Sequence, residues 1–245
     1  VLNAEAPWQA QIYYPFASVD WQAKLRAGVP LWALQHFCGG TLVAPMWVLT
    51  AAHCIDDKMR QYGYRVRLGQ ENLHRGTGWT YAIDKVVVNS SYRPLQGGDI
   101  ALIKLRDDTA ARPPLGQVRP ITLAGSADPP VNRPVTVFGW GRTKDTGNGT
   151  SSFMLKVGLN IMDRTTCKSF GLAAVDDRVV CAVAKTRKTC KGDSGGPVID
   201  TGTKQLIAVV SAGGKRCAPD GQPGIYTRIA AYMPWIRRST GGAVR

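Results

Sequence analysis

An all-β protein in two halves is the architecture this sequence predicts, on three observations. Short runs of four to eight residues, rich in β-branched side chains and punctuated by Gly, Pro and Asn, recur along the chain. Helical periodicity is rare. The stretch 112–134 carries six prolines and reads as a crossing linker between two halves of similar size, 1–115 and 116–245. Each half holds about six strand candidates, which suits a closed barrel because closure leaves few exposed edges.

In the first half, residues 40–43, 47–51, 64–68, 82–88 and 100–105 read as strands. Ahead of them lies an insertion, 17–34, with Trp21, Trp32 and a short helix over 20–27. It reads as a surface loop folded against its barrel. In the second half, 135–140, 157–161, 197–199, 206–211 and 224–229 read as strands. Residues 164–170 have room for one or two helical turns. The clearest helix is 229–239, where Ile229, Met233 and Ile236 recur at roughly helical spacing and Pro234 marks where it becomes regular.

Composition bounds the function. At 245 residues, 44% hydrophobic and 20% charged, the chain can bury real cores and is not intrinsically disordered. Charges interrupt every apolar stretch before the roughly 18 residues a membrane span needs. Lys and Arg number 31 against 17 Asp and Glu, a net charge of +14. That surplus favours an acidic partner: an acidic substrate, an anionic glycan or an anionic surface. The basic residues form no helix or aromatic platform motif, so no specific nucleic-acid partner is expected.

Six cysteines (Cys38, Cys54, Cys167, Cys181, Cys190 and Cys217) lack zinc-finger or thioredoxin spacing. Three disulfides in an oxidising compartment is the better reading, with fifteen pairings open. The chain opens without a charged-then-apolar leader, so a secreted protein, extracellular or periplasmic, with its signal already removed is expected. A monomer is the default state.

The most informative segment is Gly192-Asp193-Ser194-Gly195-Gly196-Pro197. A serine flanked by glycines on a tight turn exposes its hydroxyl. The N–H groups of Gly192 and Ser194 are then free to stabilise a developing oxyanion. Serine needs a base. His53, in Thr50-Ala51-Ala52-His53-Cys54, ends an apolar run beside a cysteine that can pin it. An imidazole base needs an acceptor to fix its tautomer, and Asp99, opening Asp99-Ile100-Ala101-Leu102, is placed to supply one.

These pieces, with Cys38-Gly39-Gly40-Thr41-Leu42 and Gly139-Trp140-Gly141, resemble the trypsin/chymotrypsin-like serine protease family in order and separation, from Pro7-Trp8-Gln9 to about Ile236. The resemblance implies two six-stranded antiparallel β-barrels, a catalytic cleft between them and a C-terminal helix. It implies a serine endopeptidase acting on polypeptides, with Ser194 as nucleophile, His53 as base and Asp99 orienting it. It also implies the disulfides Cys38–Cys54, Cys167–Cys181 and Cys190–Cys217. No cofactor is expected. His36 and His74 lack ligand spacing and the loop 69–78 lacks paired acids, so no metal is expected either.

The resemblance also locates the substrate pocket, on Lys188, Thr189, Lys191, Ser211, Ala212, Gly213, Gly224 and Tyr226. Trypsin-like members carry Asp where this chain has Lys188, and a cation there disfavours Lys or Arg in the pocket. Lys185, Arg187, Lys191, Lys215 and Arg216 add charge around it. Two preferences follow for the residue before the scissile bond: acidic, with Lys188 as counter-ion, or apolar, with Lys188 turned outward, for instance to Asp220. The family usually has Trp where Ala212 stands, so apolar preference beyond the primary pocket is expected to weaken. Val1 is expected to pair its ammonium with Asp193, the activating contact of the family, although only six residues precede Pro7-Trp8. The contrasting class of function is a cationic, zymogen-like protein that binds anionic surfaces.

Overall fold

The computed structural model describes residues 1–15, 21–56, 59, 63–106, 117–145, 149–171, 175–184, 187–213, 217 and 221–244. Lys185, Lys215, Arg216 and Asp220, with parts of the insertion and the linker, lie outside the described residues.

The first barrel consists of β1 (Gln9–Tyr13), β2 (His36–Ala44), β3 (Trp47–Thr50), β4 (Arg65–Leu68), β5 (Trp79–Val88) and β6 (Ala101–Leu105), closed in the order β1-β2-β3-β6-β5-β4. The second consists of β7 (Pro134–Gly139), β8 (Leu155–Met162), β9 (Val179–Val183), β10 (Pro197–Asp200), β11 (Leu206–Ala212) and β12 (Gly224–Arg228). Its order, β7-β8-β9-β12-β11-β10, repeats that of the first. All pairings are antiparallel. The all-β expectation of two closed six-stranded barrels holds.

Burial explains the strands. Alternation is clean in β4, where Val66 and Leu68 are buried and Arg65 and Arg67 are not. In β1 every residue is buried, including Gln9 and Gln11 at 1% and 2% exposure. The run Gln-Ala-Gln-Ile-Tyr therefore reads as half polar in sequence, while both its faces are covered.

Helices are short. α1 (Gln22–Arg26) and α2 (Leu31–Gln35) form in the insertion; α3 (Arg164–Ser169) is capped by the Asp163 carboxylate, which accepts from Thr166 N at 2.8 Å. At the end of the chain a 3-10 turn, Ile229–Tyr232, leads into α4 (Met233–Ser239), with Pro234 in its first turn, where a missing N–H costs nothing. Three disulfides close: Cys38–Cys54, Cys167–Cys181 and Cys190–Cys217. The first joins β2 to a 3-10 turn, Ala52–Cys54, that carries His53.

Candidate active site

His53 leaves the end of β3 on that turn. Its Nδ1 lies 2.8 Å from Asp99 Oδ2 and its backbone N–H donates to Asp99 Oδ1 at 2.9 Å. A carboxylate only accepts, so Nδ1 carries a proton, and in the neutral ring it is Nε2 that keeps the lone pair. Asp99, 7% exposed just before β6, also accepts from Ser211 Oγ at 2.5 Å. Burial pushes its carboxyl up. The hydrogen bonds and charge of His53, with the Ser211 hydroxyl, more than offset this and hold it below the ordinary carboxylate value. Thr227 Oγ1 donates to Asp99 O at 2.9 Å, and Gly98 N donates to Tyr232 OH at 3.1 Å. The acid is thus fixed from both barrels.

Ser194 sits on a turn that glycines make feasible. Gly195 has φ +77°, and a Cβ there would come within 2.1 Å of Thr50 Oγ1 and 2.5 Å of Gly39 O. Its N–H donates to Val210 O at 2.8 Å, while Ser194 O accepts from Gly39 N at 2.7 Å. The serine backbone is thereby pressed onto β2 and the end of β3, close in sequence to His53. The N–H groups of Gly192 and Ser194 donate to nothing among the described residues. Gly192 adopts φ +102°, which turns its carbonyl to accept from His36 Nε2 at 2.9 Å. Sequence reasoning gives His36 no role, because no local motif marks a contact spanning 156 positions. With Nε2 protonated, the unpartnered, buried Nδ1 is bare, and burial lowers the imidazole pKa to about 4 despite the Gly192 hydrogen bond.

The structure does not bring Val1 to Asp193. The Val1 ammonium donates to Met154 O at 3.0 Å. The short leading segment is spent on a turn, with Glu5 N on Leu2 O and Ala6 N on Asn3 O at 3.0 and 3.1 Å. That turn is tethered by Asn3 N to Glu71 at 2.5 Å and by the Glu5–Lys156 pair. Asp193 instead accepts from Gly141 N and Cys190 N, both at 2.9 Å. Burial pushes its carboxyl up to about 6, against those two N–H groups.

Around the expected substrate pocket, Thr189 and Tyr226 are 3% and 0% exposed, and their hydroxyls meet at 3.1 Å. A Cβ on Gly224 would fall 2.3 Å from that Tyr226 oxygen, so the wall must be glycine. Ser211 and Ala212 end β11, with Gly213 exposed beyond them. Lys191 and Arg187 are exposed. Lys188 is half-buried and lines a cavity of about 520 Å³ together with Asp193, Gly141, Arg142, Lys144 and Lys156. Among the described residues, the grouping of Cys38, Cys54 and His53 has donor atoms close enough for a metal, but both cysteines are tied up in a disulfide. No helix among the described residues is long and apolar enough to cross a membrane.

Comparison with known proteins agrees with this geometry. A family model described as Trypsin matches residues 6–236. The fold is similar to the solved structure of neuropsin from mouse, described as a serine protease expressed in the limbic system of the brain. That match has 26% identity and a TM-score of 0.80, and it covers 98% of this chain and 97% of that one.

Proposed function

As a member of the trypsin family and a serine endopeptidase by fold and family, this chain is one in which we propose that Ser194 attacks the scissile carbonyl while His53 Nε2 takes its proton. The single observation that carries the assignment is the His53 Nδ1–Asp99 Oδ2 contact of 2.8 Å, which leaves Nε2 as the free base. Asp99 holds that tautomer and stabilises the imidazolium. The unengaged N–H groups of Gly192 and Ser194 receive the tetrahedral oxyanion. His53 then gives its proton to the leaving amine, and water, deprotonated by the same imidazole, releases the acyl group from Ser194. A small fluorophosphonate should add to the wild type in one-to-one stoichiometry and not to Ser194→Ala. An unmodified wild type supports the cationic binding role instead.

The same reading includes secretion, since three disulfides need an oxidising compartment to form and persist. It also includes a primary pocket that rejects Lys and Arg. No carboxylate stands among the described lining residues, and the Thr189 and Tyr226 hydroxyls are hydrogen-bonded to one another. With Lys188 on the lining of the Asp193 cavity, an apolar side chain such as Phe, Leu or Met is the favoured occupant. The exposed cations Arg187 and Lys191 support an acidic one as the second reading. Peptides matched except for Phe, Glu or Arg before the scissile bond separate the two, and efficient cleavage after Arg overturns both.

A further inference from the structure

The cavity of about 520 Å³ beside Asp193 is lined by five cations, Arg142, Lys144, Lys156, Arg187 and Lys188, and by one carboxylate. That carboxylate does not answer them. Asp193 spends Oδ1 on Gly141 N and Oδ2 on Cys190 N, both at 2.9 Å. No ion pair joins it to a cation among the described residues. Burial pushes its carboxyl up, and only those two N–H groups work against the rise, so no neighbouring charge holds it down. Lys156 is paired with Glu5 of the leading turn. Arg142, Lys144 and Arg187 pair with no carboxylate among the described residues. Asp145, next to Lys144 in sequence, accepts from Cys217 N. The space therefore carries a positive excess that Asp193 and Glu5 leave largely unneutralised.

The cations stand on two separate segments. Arg142 and Lys144 follow β7, while Arg187 and Lys188 lead into the turn that carries the nucleophile. The two segments join through Gly141 N on Asp193 and Arg142 N on Lys191 O, each at 2.9 Å. A guanidinium fork takes two oxygens of a phosphate or sulfate group at once, and an ammonium adds a point charge beside it. The volume lies within the range of about 300–1,000 Å³ usual for small-molecule sites. We propose that this cavity binds a compact polyanion bearing phosphate or sulfate groups, held by Arg142 and Lys144 on one wall and by Arg187 and Lys188 on the other. Bound there, the anion ties the segment 139–144 to the segment 187–193. The site goes beyond proteolysis and does not depend on it, since neither Ser194 nor His53 lines the cavity. It gives part of the +14 net charge a specific place to act.

The test titrates Ser194→Ala by calorimetry with inorganic tripolyphosphate and, separately, with a sulfated disaccharide. Salt is set at about 0.1 M and about 1 M, between which the screening length falls from ~10 to ~3 Å. One-to-one, saturable binding that weakens with salt is expected, and the tighter probe tells whether phosphate or sulfate is the preferred group. Adding Arg142→Gln and Arg187→Gln should weaken Kd at least tenfold. Lys24→Gln with Arg238→Gln, which removes the same charge away from the lining, should change Kd less than twofold. Glu5→Gln, which frees Lys156, should tighten binding at least twofold. The ligand should also raise the melting temperature in proportion to its occupancy, and should not do so in the Arg142/Arg187 variant. Where that variant fails to melt cooperatively, Lys144→Gln, at an exposed position, replaces it with an expected loss of at least threefold. Absence of saturable binding overturns the site, as does equal weakening by the Lys24/Arg238 control or no gain in Glu5→Gln. Because Ser194→Ala is the parent throughout, a wild type inert to the fluorophosphonate overturns the catalytic reading alone and leaves this result standing.

Discussion

His36 and Asp193 sit on either side of Gly192 and are driven by burial in opposite directions, which makes the acid response of this protein a test of how both are held. His36 has its pKa lowered from 6.5 to about 4. Its contribution to stability is complete above pH 6.5 and is lost as pH falls through about 4, because the unfolded chain takes up a proton that the native ring refuses. Asp193 has its pKa raised from 3.8 to about 6. Its contribution is complete below pH 3.8 and is lost as pH rises through about 6. At ~1.4 kcal/mol per pH unit, each amounts to about 3 kcal/mol. Both side chains keep some surface, so these are ceilings. Between pH 6.5 and 4 they oppose one another and nearly cancel.

The perturbation is His36→Gln, made in Ser194→Ala to prevent self-digestion. A glutamine amide can still donate to Gly192 O, but it takes up no proton. Urea melts followed by the fluorescence of the seven tryptophans give stability from midpoint and slope. From pH 6.5 to 4 the double variant should gain about 3 kcal/mol relative to its parent. Carboxylates with lowered values, Asp200 and Asp99 among them, titrate alike in both proteins and drop out of the difference. Parallel curves for the two proteins would falsify the account of His36 as a buried neutral ring.

Three further outcomes follow from the same contacts. Ser211→Ala removes the 2.5 Å bond to Asp99 and should lower kcat/KM about tenfold, since a hydrogen bond to a charged group contributes ~1.5–3 kcal/mol; an unchanged value rules out Ser211 as a positioning residue. Arg133→Ala breaks both bonds to Asp200, 2.7 and 2.8 Å, and should lower the urea midpoint at pH 7. Because the Asp200 pKa is lowered to about 2 by Arg133 first of all, its stabilisation is present above pH 3.8 and fades as pH falls through about 2. A urea penalty unchanged at pH 2 contradicts this. Gly195→Ala forces a Cβ to within 2.1 Å of Thr50 Oγ1 at φ +77°, and should lower the melting temperature and abolish fluorophosphonate labelling together; a labelled, fully stable variant refutes the steric account.

The barrels were legible because their signal is local. Val66 and Leu68 against Arg65 and Arg67 need only two-residue periodicity, and Pro234 alone locates the start of α4. β1 was not legible in that way, since Gln9 and Gln11 are polar yet buried and only tertiary cover makes them so. His53, Asp99 and Ser194 stand out by their flanking residues, but their supporting contacts do not. Ser211 reaches Asp99 across 112 positions and His36 reaches Gly192 across 156, distances over which one sequence carries no pairing information. Val1 has the residue type for an ion pair with Asp193, but three tethers on the leading turn decide its position.

These long-range contacts share a pattern that bears on how catalysis is organised. His53, Asp99 and the Cys38–Cys54 disulfide belong to the first barrel; Ser194, Ser211 and Thr227 belong to the second. Three groups at the site are held from the opposite barrel: Asp99 by Ser211 and Thr227, Ser194 O by Gly39 N, Gly192 O by His36. Without its partner, either barrel would leave a buried carboxylate or an unsupported nucleophile turn exposed at the missing seam. The reaction geometry is therefore a property of the interface. A substitution that shifts one barrel against the other by an ångström should cost activity well before it costs stability, because orientation within the site is far more demanding than burial.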